Sequence, residues 1–408
     1  MNIVKRMAQY NTGREPERLA LKYQKMRASN FAFLRGSCHL FYERLSAGPR
    51  IPASPLVWAC GDLHMENFGS YKGDNRQVYF DLNDFDEAVM APASWELVRM
   101  LASVDVALQE AGESQAQSHA LSQTFVEAYA SALAAGKAYW LERDTAQGPV
   151  RHLLDGLRQR EHAQFLDSRT ERKGDKRSIR VDGIKALAAS AEQRKWVKAF
   201  ISGFAKLQSE KKFYRVHDVA RRIAGTGSLG LERYIVLIEG KGGPDGYVLL
   251  DLKRAPLSCL QPYLSAKPPR WPHQAQRIVE LQQRLQAVPM AFLHAVQADP
   301  ASYVLRALQA SEDRISVTSS GLTVPALEQL MQSMGQVVAW AHLRGAGRQG
   351  SADADALIAF GKKKAWQAKL LKAAQKCAAQ VRVDAATFNT AYDRAHERTG
   401  ILKAPRGK

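Results

Sequence analysis

The chain has no run approaching the roughly 18 apolar residues that a membrane-spanning helix needs, so no transmembrane segment is expected. Cysteine is scarce: Cys38, Cys60, Cys259 and Cys377 are scattered, with no CxxC pair. That spacing argues against zinc ligation and a disulfide framework, and reads as reduced, mostly buried thiols. The first residues, MNIVKRMAQYNTGREPERLALKYQKMR, are charged throughout and hold no apolar stretch, so no secretory leader is expected. The RNP and C2H2 patterns of common nucleic-acid binders are missing. So are an internal repeat and a long low-complexity linker. These absences together describe a soluble, cytoplasmic chain without a membrane partner.

What is present is ordinary in amount and unusual in charge. The 408 residues are 46% hydrophobic and 24% charged, enough for two domains or one two-lobed domain. The formal net charge is +18, which favours polyanions or phosphorylated ligands and says nothing of fold. Much of the charge lies in RTERKGDKRSIR (169–180), read as a basic loop, and GKKKAWQAKLLKAAQK (361–376), read as a basic amphipathic helix. Both are expected to be solvated faces, with a substrate or nucleic-acid patch as the alternative.

Helical periodicity dominates both ends of the chain, in 94–140, 149–166, 184–208, 325–344, 353–380 and 384–396. Strand patterns cluster between them, at 213–225, 231–240, 246–255 and 302–309, and KGGPD (241–245) reads as a hairpin turn. The resulting fold class is α+β with two lobes. Residues 213–310 would form a small β-rich lobe, and 1–212 with 311–408 a larger helical one.

VWACGDLHMENFG runs as a short apolar strand to Cys60 and breaks at Gly61, leaving Asp62 and Asn67 on a loop. A second apolar strand, VYFDL, leads into Asn83, Asp84, Phe85, Asp86 and Glu87. Carboxylates just beyond buried strand ends are held rigidly yet remain reachable. Phosphoryl transfer needs an aspartate to orient the attacking hydroxyl and accept its proton, and hard oxygen ligands for magnesium. Asp62 fits the first role; Asn67 and Asp84 fit the second, with Asp86 auxiliary. Each of Asp62 and Asn67 alone reads equally as a turn residue. A metal-dependent hydrolase using Asp62, His64, Asp81 and Asp84 is the competing reading, but the further histidines it needs do not follow.

Gly225-Thr226-Gly227-Ser228-Leu229-Gly230 spells GxGxxG. A dinucleotide fold would follow this turn with a helix; here a β pattern follows, as in a glycine-rich hairpin over nucleotide phosphates. Lys253, at the end of the next strand, would anchor the α- and β-phosphates. Glu280, in the following helix, would orient that lysine by an ion pair. His64 reads as a scaffold residue bonded to loop backbone, and Arg35 as a brace for the loop.

These residues resemble the protein kinase-like superfamily, most closely its aminoglycoside and choline phosphotransferase branch. That branch carries H-G-D-x-H-x-x-N and I-D-F-x-D/E segments, similar to Gly61–Asn67 and Asn83–Glu87, with Cys60 where the branch has histidine. FAFLRG (31–36), GDLHMENFG, NDFDEA, DVARRIAGTGSLGLERY, LLDLKRA and YVLRALQ also resemble an uncharacterised bacterial family over nearly the whole chain. The resemblance implies a kinase-like fold that uses ATP and Mg2+. The glycine loop and lysine follow the catalytic loop here, which implies a circular permutation. VVAWAHLRG (337–345) is similar to the helix that elsewhere runs straight into that loop. The expected activity is phosphate transfer to a small-molecule or protein hydroxyl. AMP transfer from the same site, non-catalytic nucleotide binding and nucleic-acid binding are its rivals.

Overall fold

Several helices begin where the sequence offers a capping oxygen. In the computed structural model, residues 1–398 are described apart from 244, 266–267, 310–313 and 316–320. Asn2 caps α1 (Ile3–Tyr10), Pro16 opens α2 (Pro16–Ala28), and Ser29 caps α3 (Asn30–Gly36), which leads into α4 (Cys38–Ala47). β1 (Leu56–Ala59) then enters the core and is followed by a hairpin of β2 (Phe68–Lys72) and β3 (Val78–Leu82). β4 (Val89–Pro92) returns to pair antiparallel with β1. Two loops therefore leave this pair side by side, 60–67 after β1 and 83–88 before β4.

α5 (Ala93–Glu110) is buried almost all round, as expected of a helix at the centre of a core. α6 (Gln115–Ala135) packs beside it and ends at Gly136, whose φ of +69° closes the helix. After β5 (Leu141–Glu142), α7 (Gly148–Gln159) and α8 (His162–Asp167) comes a hairpin of β6 (Thr170–Lys173) and β7 (Lys176–Ile179). β8 (Ala186–Ala188) and α9 (Ala191–Ala205) precede β9 (Val216–Arg222), β10 (Arg233–Ile238) and β11 (Val248–Arg254). α10 (Gln274–Leu285) then leads to a hairpin of β12 (His294–Ala298) and β13 (Ala301–Ala307). α11 (Val324–Arg344), α12 (Ala354–Lys362) and α13 (Gln367–Arg398) finish the chain.

Six strands form one antiparallel sheet in the order β12-β13-β11-β10-β9-β8. Both faces of its centre are covered, so β10 is apolar at five of six positions and buried at all of them. Tyr234, Val236 and Ile238 pack with α9 on one face; Ile235 and Leu237 pack with Leu166 and Ile179 on the other. The helices come from both ends of the chain. α13 packs on α2, α3 and α5, while α11 and α12 pack on α6. Among the described residues no helix is long and apolar enough to cross a membrane.

Several sequence expectations need correction. The basic 169–180 segment is a β-hairpin, with Thr170 opposite Ile179. The 184–208 helix starts only at Ala191, because Ser190 and Gln193 form a capping box there and Ala186–Ala188 joins the sheet edge. β12 was not foreseen, nor was β2. Residues 353–396 form α12 and a single long α13, divided where Trp366 turns inward to stack on Phe360 at 4.5 Å. Pro244, part of the expected hairpin turn, lies outside the described residues, as do 399–408.

Candidate functional site

The loop after β1 is held by one face of α5. Glu96, Arg99 and Ser103 recur at i, i+3 and i+7, which places them on one side of the helix, and all three are buried. Glu96 Oε1 accepts the Gly61 amide at 3.0 Å, Ser103 Oγ accepts the Met65 amide at 3.1 Å, and Arg99 Nε donates to Asp62 Oδ1 at 2.7 Å. Glu96 Oε2 is 2.8 Å from His342 Nε2 on α11, whose Nδ1 is 2.8 Å from the Tyr129 hydroxyl on α6. Gly61 must be glycine: its φ is +86°, and a Cβ would sit 2.2 Å from the Glu87 carbonyl oxygen.

Arg99 fixes Asp62 in orientation. Its guanidinium donates to the Leu34 carbonyl at 3.1 Å and lies 4.9 Å from the Phe41 ring centre. Burial works against the charge of Arg99, but Asp62 keeps it firmly protonated. With Oδ1 bound to Arg99, Asp62 Oδ2 is left facing the glycine turn, 3.9 Å from where a Cβ on Gly227 would lie. His64 is buried, and burial with Arg35 and Arg99 nearby depresses its pKa; its Nδ1 accepts the Glu66 amide at 3.1 Å. It serves its own loop. Arg35 ion-pairs with Glu66 and so braces the same loop.

Asn67 ties the two loops together. Its Oδ1 accepts the Asp84 amide at 2.7 Å and the Asn83 amide at 3.3 Å; its Nδ2 donates to the carbonyls of Asp62 at 3.0 Å and Asp84 at 3.2 Å. The side chain expected to ligate magnesium is thus fully engaged as a clamp. Asp84 and Asp86 remain. Asp84 lines the cleft with 40% of its side chain accessible. Burial opposes its charge, but Lys253, Arg306 and Arg314 hold its pKa down to about 2. Burial pushes the Asp86 carboxyl up, against the attraction of Lys253.

The sheet delivers the basic groups by strand period. Asp251 and Lys253 alternate onto the same face of β11; Arg233 lies opposite Lys253, and Arg306 opposite Asp251. Lys253 is buried, ion-pairs with Asp86, and has its Nζ 3.8 Å from Asp84 Oδ1. Behind it, fully buried Asp251 gathers Arg222 and Arg233 at 2.6 Å and Arg306 at 3.4 Å. Arg306 also reaches the Asn83 carbonyl at 3.5 Å, joining the sheet to the acidic loop. Glu280 is elsewhere: it accepts from Gln276 on its own helix at 2.6 Å. The expected Lys253–Glu280 pair is not formed, because the two nearby aspartates take the lysine.

The glycine turn joins β9 to β10, with Gly225 at φ +68° and Gly230 at φ +88°. Gly225, Thr226, Gly227 and Ser228 line the cleft with Asp62, Asn67, Asp84 and Asp86; Gly230 instead packs on Arg14. Arg14 donates to the Gly227 and Leu229 carbonyls, both at 2.7 Å, and Lys22 Nζ donates to Gly227 O at 3.2 Å. The turn's carbonyls are therefore held by the segment joining α1 to α2 and by α2 itself. The cleft has ≈ 40 Å³ of free interior, room for a few waters and too little for a nucleotide. A nucleotide would fit here only with the turn lifted from Asp62.

As a magnesium site, the cleft offers two adjacent carboxylates, enough when phosphate and water complete the shell. The rival hydrolase set is not assembled: Asp81 turns to Arg344 at 3.1 Å and to the Ala287 amide at 3.1 Å. Among the described residues no three His, Cys, Asp or Glu side chains converge as a metal cluster. Neither basic segment, 169–180 nor 361–376, contributes a residue to the cleft lining. Sequence reasoning missed Arg99, Ser103 and Arg14. For the first two a signal existed, the polar stripe 96, 99, 103 along one face of a largely apolar helix. For Arg14 none did.

Residues 14–391 match the family described as "Uncharacterized protein conserved in bacteria (DUF2252)", and the chain belongs to that family. No curated protein and no solved structure matches it.

Proposed function

We propose that this member of a bacterial family is an ATP- and magnesium-dependent phosphotransferase, built on a circularly permuted kinase-like fold and working in the cytoplasm. One observation carries the reading. Lys253 from the six-stranded sheet meets Asp84 and Asp86 from the loop after β3, and those two aspartates line one cleft with Asp62 and the glycine turn. Lys253 and Asp86 are 167 residues apart in sequence, and no local pattern requires them to meet.

Asp62, oriented by Arg99, holds the acceptor hydroxyl through Oδ2 and takes its proton as the acceptor oxygen bonds to the γ-phosphorus, the bond from that phosphorus to the β–γ bridging oxygen breaks, and ADP leaves with the bonding electrons. Asp84 and Asp86 would hold magnesium, which would neutralise charge on the phosphate oxygens. Lys253 then turns from the carboxylates to the nucleotide phosphates. Asn67 keeps the Asp62 and Asp84 loops in register. The permuted connection is supported by the end of α11: the Ala352 amide donates to the Leu56 carbonyl at 2.8 Å, and Trp58 Nε1 donates to the Arg348 carbonyl at 2.9 Å. The loop that follows α11 thus lies against β1, which is consistent with the motif order. Four buried, unpaired cysteines suit a reducing compartment.

The test is a thermal shift with ATP with and without magnesium, followed by mass spectrometry of protein and metabolites after incubation. A magnesium-dependent shift and a mass gain of one phosphate are expected. Asp62→Asn should keep the shift and lose turnover by about 10²-fold or more; Asp84→Ala should lose both. A gain of AMP would replace phosphate transfer with nucleotidyl transfer. Absence of any magnesium-dependent shift would overturn the reading.

A further inference from the structure

A second cavity, ten times larger than the cleft at ≈ 400 Å³, opens between α4 and α13. Its size is within the range that holds drug-sized molecules. Phe33, Leu40, Phe41, Cys377 and Val381 form an apolar floor, and burial raises the Cys377 thiol to about 12, so the wall is uncharged. The rim is polar. Arg44 and Asp384 face each other there in a two-point ion pair at 2.8 and 3.2 Å, which satisfies both. Lys376, exposed at the rim, has no ion pair among the described residues. Lys369 and Lys372 precede it on the exposed side of α13. An apolar floor under an unmatched cation suits a molecule with an apolar body and one negative head.

The cavity also touches the support of Asp62. Phe41 presents its ring to the cavity and to the Arg99 guanidinium, 4.9 Å away, and Arg99 in turn holds Asp62. Phe33, also in the wall, is followed by Leu34, whose carbonyl takes Arg99 Nη2 at 3.1 Å. Arg99 is fully buried and its Nη1 has no hydrogen-bond partner among the described residues. Its position therefore depends on how these two walls pack.

We propose that this cavity binds a small amphipathic carboxylate, with its tail on Phe33 and Phe41 and its head at Lys376, and that occupancy steadies Asp62 through Arg99. The site stands on its own geometry and does not depend on the chemistry assigned to the cleft.

The experiment titrates the full chain with decanoate and, separately, with decanol, by calorimetry. Saturable decanoate binding is expected, with decanol weaker by about ten-fold, the scale of one charge-assisted contact. Lys376→Glu should remove that preference while leaving decanol binding unchanged. Cys377→Phe should abolish binding of both, and Ala47→Trp, at the exposed mouth, does the same without entering the core. Hydrogen exchange over 61–67 should slow on decanoate binding to the wild-type chain. Absence of saturable binding, or binding that survives both filling variants, overturns the site. Equal affinity for acid and alcohol overturns the assigned ligand class. Binding without any change in exchange at 61–67 overturns the link to Asp62.

Discussion

At the scale of single residues, position outweighs identity. Asp62 is one of several loop aspartates, and what distinguishes it is the buried guanidinium that fixes one oxygen and leaves the other toward the glycine turn. Gly61, its neighbour, has no freedom to change. Gly61→Ala should destabilise the chain by about 2 kcal/mol or more, from a left-handed backbone and a clash with the Glu87 carbonyl. Urea unfolding measures this, and a loss under about 0.5 kcal/mol, the size of a neutral surface change, would contradict it. The two acidic loops, 61–67 and 83–87, were legible in the sequence because they follow from short apolar strands and local spacing. Spacing does not show how Asn67 is engaged: its type suits magnesium, and in this structure neighbours on both loops bond every polar atom of its side chain.

Elements carry the charge arrangement. Strand alternation places Arg233, Asp251, Lys253 and Arg306 on one face of the sheet, and Arg222 completes a buried aspartate with three arginines. Burial would raise the Asp251 pKa, but those arginines hold it far below the ordinary value. A depressed folded pKa contributes stability above the unfolded value of about 3.9, lost as pH falls below it. Asp251→Asn should therefore cost about 3–5 kcal/mol at neutral pH, because it leaves buried guanidiniums without a counter-charge. The penalty should shrink as pH drops below about 4, where the unfolded wild-type chain begins to bind a proton at Asp251 and the stability supplied by its charge is lost. Denaturant melts of both proteins from neutral to acid pH check this; a pH-independent difference would refute it. α5 adds a parallel case. His342→Ala removes the group that orients Glu96 and hence the Gly61 amide. It should lower turnover more than it raises KM, since His342 is buried and does not line the cleft.

For the molecule as a whole, the cleft is closed. Arg14 and Lys22 hold the glycine turn against the Asp62 loop, and the interior of ≈ 40 Å³ admits no nucleotide. Opening must precede or accompany binding. In stopped flow with a fluorescent ATP analogue, the observed rate should therefore saturate with ligand concentration. Arg14→Ala, which frees two carbonyls of the turn, should raise that plateau. A rate that stays linear in concentration for the wild type would remove the closed-cleft account.

The sequence by itself determined the strands β10 and β11, the two acidic loops, the glycine turn and the lysine, because each depends on periodicity or spacing within about twenty residues. It also held the order of those motifs, and with it the expectation of a permuted chain. Only the tertiary structure decided who meets whom. Lys253 pairs with Asp86 rather than Glu280, Arg99 fixes Asp62, and the α1–α2 segment holds the turn shut. These contacts join elements distant in the chain. Their choice rests on burial and on which counter-charge lies nearest once the core has packed, and no local pattern encodes that.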